Sequence, residues 1–224
     1  MRNTIYALGF FDGVHRGHQA LLSACLSLAQ KHGCSAGVVT FAAHPDTLVK
    51  GNTPRLINAP KDREWLLRET YHMEILLNLP FDESMRAMPW DAFLDMLRTH
   101  YDAAGFVCGA DFRFGHRGCG NADALREYCN REKLPCAVVP DQILDGIRIS
   151  STYVREQLED GDMQRQSNFW AILMCSAALW SMARPWAGSW ASPLPICSCL
   201  RAWPSRNSVS TSAPASLTEN GILR

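Results

Sequence analysis

The sequence predicts an α/β fold with a Rossmann-like, doubly wound parallel sheet over residues 1–163, followed by an irregular C-terminal tail over 164–224. Short apolar runs alternate in the first part with runs of helical period, which is the order that builds strand–helix–strand units. The apolar runs are continuous, which is typical of parallel strands buried on both faces. The composition changes near Asp162, and we place the boundary of the folded part there.

Six apolar runs are the predicted strands. The second is β-branched or aromatic from Val38 to Phe41, as strands prefer. In chain order the predicted strands are residues 5–11, 36–41, 75–79, 105–109, 137–140 and 143–149. Parallel sheets of this kind bind ligands at the carboxyl ends of their strands, so the turn after the first strand is the first place to seek a site.

Five segments with apolar residues at helical spacing are the predicted helices. In chain order they are residues 18–30, 62–71, 90–101, 121–132 and 151–158. The last two begin with Asn121 and Ser151, whose side chains are favoured helix caps. Helices between successive strands can cover both faces of the sheet.

The charge balance limits the class of partner. The 224 residues hold 22 Lys+Arg and 22 Asp+Glu, so the formal net charge is zero. This argues against a general nucleic-acid-binding protein, which carries a basic excess. Residues 1–162 hold 21 acidic and 17 basic side chains, whereas residues 163–224 hold five Arg, one Glu and five of the seven Trp. Two compositions are joined, and the second has no recognisable domain.

The N-terminus and the cysteines indicate a cytoplasmic protein. The first apolar run follows Met1 almost at once and lacks the pattern of a signal peptide. Nine Cys are scattered without a C-x-x-C pair, so we expect reduced thiols and no structural metal. The uncharged segment 166–183 approaches the length of a membrane span, but it contains several polar side chains, and we expect no membrane partner.

The turn after the first strand carries the densest group of candidate residues. It reads Gly-Phe-Phe-Asp-Gly-Val-His-Arg-Gly-His from 9 to 18, and its glycines allow close backbone approach. His15 and His18 lie three residues apart at a predicted helix start, where free N–H groups and the helix dipole attract phosphate. The alternatives are surface histidines at a helix cap, or a zinc site that lacks a third ligand at a fitting spacing.

This turn resembles a known family. Phe-Asp-Gly-Val-His-Arg-Gly-His at 11–18 is similar to the H-x-G-H signature of nucleotidylyltransferases and, with its prefix, to the adenylyltransferase module of prokaryotic FAD synthetases. Further motifs of that family follow in order: Thr-Phe-Ala-Ala-His-Pro at 40–45, Leu-Pro-Phe-Asp at 79–82, Gly-Ala-Asp-Phe-Arg-Phe-Gly at 109–115, Ser-Ser-Thr-Tyr-Val-Arg at 150–155 and Leu-Glu-Asp-Gly-Asp-Met at 158–163. Ala43 departs from the family's usual Pro, and the loop at 55–57 departs from its Leu-Thr pair, so we assign that loop no role.

The resemblance implies a sheet of the nucleotidylyltransferase type and the reaction of FMN with ATP to give FAD and pyrophosphate. The residues it implies for catalysis are His15, His18 and Arg155. Those implied for ATP binding are Gly9, Phe11, Asp12, Gly13, Gly17, Ser150, Ser151 and Thr152. Those implied for FMN binding are Phe41, His44, Asp111, Phe112 and Phe114. Mg²⁺ is expected to accompany ATP, without a protein ligand that we can name.

Each of these groups also has a plainer interpretation. Ser150, Ser151 and Thr152 can simply cap a helix, and Arg155 can lie on a solvated helix face. The aromatic residues of the 109–115 loop can be core anchors, and Phe41 with His44 can be core and turn. The alternative functions are a nucleotidylyltransferase with a different phosphate acceptor and a non-catalytic flavin- or nucleotide-binding fragment.

The tail raises a separate hypothesis. In the resembled family a riboflavin kinase domain follows, and nothing after Met163 resembles it. Back-translating residues 169–195 and reading them two nucleotides later can yield a peptide with the G-H-P and G-R-x-L-G-F-P-T elements of that domain. We therefore hypothesise a frameshift, in the gene or from a sequencing error, between about residues 161 and 169. On that hypothesis the tail has no selected fold and riboflavin kinase activity is lost.

Overall fold

The computed structural model describes residues 3–159, so the tail and the frameshift hypothesis lie outside the described residues. Five parallel strands form one sheet in the order β3-β2-β1-β4-β5. These strands are β1 Thr4–Leu8, β2 Ser35–Phe41, β3 Ile75–Leu79, β4 Ala103–Gly109 and β5 Cys136–Val139, and a separate hairpin pairs β6 Ile143–Leu144 with β7 Ile147–Arg148. The predicted α/β fold with a parallel sheet is confirmed.

Seven α-helices connect and cover the strands in the described part of the chain. They are α1 Arg16–His32, α2 Pro45–Val49, α3 Pro60–Trp65, α4 Glu83–Ala87, α5 Trp90–Tyr101, α6 Ala122–Glu132 and α7 Ser151–Glu159. A π-helical turn, Leu66–Thr70, continues α3, and two 3₁₀ turns lie at Asp12–Val14 and His116–Gly118. The five predicted helices are confirmed, although 62–71 is divided between α3 and the π turn.

The sheet separates two hydrophobic clusters. Ile5 and Ala7 of β1 belong to one cluster, together with the buried residues of α1. Tyr6 and Leu8 belong to the other, with the buried residues of α5 and α6. Successive side chains of a strand point to opposite faces, so this alternation follows from strand geometry, and it explains why the strand sequence is apolar throughout.

The strand order reverses between β1 and β4. From β1 the chain winds outward through β2 to β3, then returns to β4 beside β1 and continues to β5. The loops that leave β1 and β4 therefore diverge and leave a crevice at the carboxyl edge of the sheet. Both the histidine turn and the 109–115 loop leave the sheet at this edge.

Two predicted strands were wrong in extent. The first ends at Leu8, because Phe11 adopts a left-handed backbone conformation with φ 60°. The run at 143–149 is a hairpin rather than one strand, since Asp145 and Gly146 both have positive φ (52° and 77°), as a two-residue hairpin turn requires. The short helices α2 and α4 were not predicted, because five residues are too few to show a helical period.

No helix within residues 3–159 is long and apolar enough to cross a membrane. The six described cysteines form no disulfide with one another.

Candidate functional site

A cleft of about 370 Å³ lies at the carboxyl edge of the sheet, between the loops that follow β1 and β4. Its volume is in the range of small-molecule sites. Of the residues predicted for a site, thirteen line it: Gly9, Phe11, Asp12, His15, Gly17, His18, His44, Asp111, Phe112, Ser150, Ser151, Thr152 and Arg155. Gly13, Phe41 and Phe114 lie outside the lining. The fold thus brings together residues as far apart in sequence as Gly9 and Arg155.

The turn after β1 is a tightly wound wall of the cleft. Phe11 is fully buried in its left-handed conformation. Gly13 has φ 78°, and a Cβ there would lie 2.9 Å from the Ile57 side chain, so the position accepts only glycine without strain. Gly13 therefore shapes the turn from behind the cleft. At Gly17 a Cβ would lie 3.1 Å from the His15 ring, so a side chain would crowd that imidazole.

His15 and His18 form a stacked pair at the start of α1. Their ring centroids are 3.8 Å apart and their planes differ by 21°. Nδ1 of His15 accepts a hydrogen bond from the backbone N–H of His18 at 3.4 Å, which caps the helix. Because Nδ1 accepts, the proton of the neutral His15 ring lies on Nε2. His15 is only 6% exposed, so the interpretation as a surface histidine is wrong for it.

Burial keeps both rings neutral. Burial lowers the pKa of His15 to about 4, against the opposing attraction of Asp12 and Asp111. Burial also lowers the pKa of His18 well below its usual value, and the neighbouring His15 and Arg63 lower it further. Nδ1 of His18 is buried and has no hydrogen-bond partner within residues 3–159. A buried polar atom without a partner is costly, which fits a group that awaits a ligand or water.

The Asp12 carboxylate joins the turn after β1 to the loop at 55–58 and to α7. Its Oδ1 accepts hydrogen bonds from the backbone N–H groups of Ile57 at 2.9 Å and Asn58 at 3.1 Å. Its Oδ2 pairs with Nη2 of Arg155 at 2.7 Å, and Nε of Arg155 donates to the carbonyl of Arg55 at 2.9 Å. The loop at 55–58, whose first three residues we assigned no role from the sequence, therefore holds Asp12 and Arg155 in place. Its contacts are mostly through the backbone, so no residue pattern marks it.

The start of α7 lies beside the histidine turn and also lines the cleft. The Ser150 hydroxyl accepts a hydrogen bond from the backbone N–H of Tyr153 at 3.2 Å, so the capping interpretation is correct for this residue. The Ser151 hydroxyl donates to the carbonyl of Asp12 at 2.9 Å and ties α7 to the histidine turn. The side chain of Arg155 is 19% exposed and paired, so it does not lie on a solvated face.

The loop after β4 is held differently. Asp111 pairs with Arg148 of the hairpin, and Arg148 also pairs with Asp141 at 3.0 Å. Phe112 is partly buried and lines the cleft, with its ring stacked on Phe114 at 5.6 Å. Phe114 itself is 7% exposed and belongs to the hydrophobic core. Of the two aromatic residues, only Phe112 is placed to meet a ligand.

The loop after β2 contributes one histidine. The His44 ring lines the cleft, and its Nδ1 accepts a hydrogen bond from the backbone N–H of Asp46 at 3.2 Å. Burial lowers the pKa of His44. The Phe41 ring lies behind this wall, 5.1 Å from the Phe81 ring, so Phe41 supports the loop rather than facing the cleft.

The carboxylates that line the cleft are paired with basic side chains. Within the described part of the chain four of them line the cleft, and each has a basic partner: Asp12 with Arg155, Asp46 with Lys50, and Asp111 and Asp141 with Arg148. No group of three His, Cys, Asp or Glu among residues 3–159 is arranged to hold a metal ion. Each cleft carboxylate is therefore neutralised by a basic side chain in this structure.

Comparisons with known proteins identify the family to which this chain is similar. A family model described as FAD synthetase matches residues 1–153. The bifunctional riboflavin kinase/FMN adenylyltransferase of Bacillus subtilis strain 168 is 28% identical over 162 residues, which are 72% of this chain and 51% of that protein. The protein of the same name from Pseudomonas fluorescens is 31% identical over 166 residues, 72% of this chain and 52% of that one. The chain thus spans about half the length of these relatives.

Two further relatives extend the comparison. An FAD synthetase of Listeria monocytogenes is 28% identical over 170 residues, 73% of this chain and 66% of that protein. A crystal structure titled macrolide-efflux protein, from Streptococcus pneumoniae, superposes with a TM-score of 0.68 at 26% identity, over 75% of this chain and 64% of that one. Each of these matches covers about three quarters of this chain.

Proposed function

The chain belongs to the FAD synthetase family, and from that premise we propose that it is an FMN adenylyltransferase. It transfers AMP from ATP to FMN and releases FAD and pyrophosphate. The observation that carries this proposal is the stacked pair His15–His18 at the start of α1, with His15 buried and His18 partly buried, inside the cleft where the strand order reverses. This is the place where an α/β sheet binds a nucleotide and where a helix N-terminus attracts its phosphates.

In the proposed reaction an oxygen of the FMN phosphate attacks the α-phosphorus of ATP in line. The bond from that phosphorus to the bridging oxygen breaks, and pyrophosphate leaves. Little covalent chemistry falls to the protein, so positioning and charge stabilisation provide the rate. Nε2–H of His15 donates to the phosphate oxygens, and the stacked His18 ring lies beside it.

The histidines also respond to the charge of the substrate. In the free site burial holds their pKa values low. Polyphosphate beside them favours the protonated form, so ATP raises these pKa values. The rings then gain positive charge where negative charge accumulates in the transition state. Mg²⁺ would accompany ATP and would offset part of its phosphate charge. The cleft carboxylates have basic partners, and we assign none of them as its ligand.

The remaining cleft residues lie at two ends of the cleft, a proposed phosphate end and a proposed acceptor end. Gly9, Gly17 and the start of α7 surround the phosphate end, with Arg155 contributing its partly neutralised charge. His44, Asp111 and Phe112 surround the acceptor end, where the Phe112 ring offers a face for the isoalloxazine ring. Phe41, Phe114 and Gly13 support these walls from behind.

Pyrophosphate release tests the proposal. With ATP and FMN we expect release that depends on both substrates, and quenching of flavin fluorescence when the protein is titrated into FMN. Release with another phosphate acceptor, but not with FMN, would instead favour a different nucleotidylyltransferase. Flavin quenching without pyrophosphate release would favour a non-catalytic binding protein.

Riboflavin kinase activity, which the names of two relatives include, is expected to be missing from this chain. An assay for riboflavin phosphorylation by ATP checks this, and turnover would contradict it. We also propose that the protein works in the cytoplasm on small molecules, without nucleic-acid or membrane partners, in keeping with its free thiols. Cell fractionation tests that location.

A further inference from the structure

Arg63 is a buried cation that no sequence motif singles out. It lies in α3 and is only 2% exposed. Its Nη1 donates to the carbonyl oxygen of Phe10 at 3.2 Å, and its Nη2 donates to the carbonyl oxygen of Phe41 at 2.9 Å. Phe41 ends β2 and Phe10 follows β1, and these strands are neighbours. One guanidinium group therefore spans the carboxyl ends of two adjacent strands.

Arg63 packs against Phe10, and the rings of Phe10 and its neighbour Phe11 contact two cleft histidines. Its guanidinium carbon lies 4.2 Å from the centroid of the Phe10 ring, and that ring meets the His44 ring at 4.5 Å in an edge-on arrangement. The next residue, Phe11, is left-handed, and its ring lies 5.1 Å from the His18 ring. Arg63 itself does not line the cleft. Arg63 acts on His18 directly through its charge, and its packing reaches both histidines through Phe10 and Phe11.

Moving the charge of Arg63 from water into the protein costs free energy, so a compensating contact is expected. Burial lowers the pKa of Arg63, which expresses the cost of removing its charge from water. An apolar side chain would avoid that cost. Lysine would keep the charge, but it lacks the planar fork that reaches two carbonyl groups at fixed angles. The double carbonyl contact is thus the feature that an arginine, and no other residue, supplies here.

We propose that Arg63 is a positioning residue for adenylyl transfer, which holds the Phe10–Phe11 turn so that His18 and His44 keep their places in the phosphate cleft. The inference rests on the proposed function, because the step whose rate it affects is the attack on ATP. Arg63 does not line the cleft, so the proposed role is to position the turn, and its direct charge effect on His18 is the alternative that the test must separate.

Two variants at this position separate geometry from charge. Arg63→Met removes both carbonyl contacts and buries no new charge, and Asp12 retains Arg155 as its partner. We expect kcat to fall about a hundredfold, as small misplacements of catalytic groups do, while the KM for ATP changes less than about threefold. Arg63→Lys retains the charge but not the fork, and we expect most of the loss to remain. Arg68→Met is the matched control, since Arg68 is exposed on the neighbouring turn.

A second readout needs no turnover. Ring ¹H–¹⁵N spectra of the free protein at pH 7 report the histidine surroundings directly. In Arg63→Met the His18 and His44 ring signals should move, while the signal of the exposed His32 stays, and in Arg68→Met all should stay. Thermal unfolding verifies that each variant is folded. If wild-type protein released no pyrophosphate, the proposed function would fail, and these spectra would still decide whether Arg63 positions the rings.

The proposal is overturned by any of three results. These are a folded Arg63→Met variant with wild-type kcat, unmoved ring signals of His18 and His44 in that variant, or full recovery of kcat in Arg63→Lys. The last result would show that the buried charge, and not the double carbonyl contact, is what matters.

Discussion

Two aspartate–arginine pairs line the cleft, and they differ in burial. Asp12 and Arg155, after β1 and in α7, have side chains 2% and 19% exposed. Asp111 and Arg148, after β4 and in β7, have side chains 59% and 47% exposed. Asp12 also accepts two backbone hydrogen bonds, whereas Arg148 divides its charge between Asp111 and Asp141.

This difference indicates how the two ends of the cleft work. Around the buried pair, the turn, the loop at 55–58 and α7 are joined before any substrate binds, so the phosphate end is preorganised. Around the exposed pair, water screens the charges, so a ligand can displace one partner at little cost. We therefore regard the phosphate end as rigid and the acceptor end as adaptable.

The largest expected effect concerns the phosphate end. His15→Ala should lower the rate of pyrophosphate release about 10³-fold, or about 4 kcal/mol, because it removes a donor to the phosphates. The affinity for FMN, measured by fluorescence quenching, should change little. His32→Ala, at the exposed end of α1, is the control. An unchanged rate in His15→Ala would refute the role of this histidine.

Substitutions of the two stacked phenylalanines should have different effects, one mainly on stability and the other mainly on FMN binding. Phe114→Ala should lower the free energy of unfolding by about 3 kcal/mol, since Phe114 is a core residue. Phe112→Ala should cost less stability but weaken FMN binding about tenfold, through the loss of a stacking face. Urea denaturation and flavin titration measure the two effects. FMN affinity equal to wild type in Phe112→Ala would remove this residue from the acceptor site.

The two ion pairs can be compared directly by matched substitutions. Asp12→Asn retains an oxygen for the backbone donors but leaves Arg155 without an anion, so it should lower the free energy of unfolding by about 2 kcal/mol. Asp111→Asn should change it by about 0.5 kcal/mol or less, because that pair is exposed and Arg148 retains Asp141. Equal losses in the two variants would contradict the division into a rigid and an adaptable end.

A further expected effect is a pH dependence of stability that comes from the burial of His15. The folded pKa of His15, about 4, lies below its unfolded value of 6.5, so the unfolded chain binds more protons between these values. Stability should therefore be complete above pH 6.5 and fall as pH drops toward 4, by about 1 kcal/mol per pH unit. Urea denaturation at pH 6.5 and 5.5 measures this slope, and His15→Asn should reduce it.

The strands were predictable because burial on both faces makes them continuously apolar, and the histidine pair was predictable from its spacing at a helix start. The strand order was not, since it depends on contacts far apart in sequence. The hairpin turn at Asp145–Gly146 did carry a signal, an Asp-Gly pair between apolar residues, which favours two strands over one.

Other features of the site had no sequence signal. Phe112 and Phe114 are two residues apart in one motif, and only packing against Trp90 and Phe93 distinguishes the buried ring from the one that lines the cleft. Arg63 occupies a position in an amphipathic segment where arginine is ordinarily solvated. Its burial depends on backbone carbonyl groups of two other loops, and no residue type encodes those acceptors.

The most direct test of the account is the fate of the α-phosphorus of ATP. The protein is incubated with FMN and ATP labelled at the α-phosphate, and the products are separated. We predict that the label appears in FAD, with one pyrophosphate released for each FAD formed and neither product without FMN. Label that remains in ATP at saturating FMN, or pyrophosphate release that does not require FMN, would contradict adenylyl transfer to FMN by this chain.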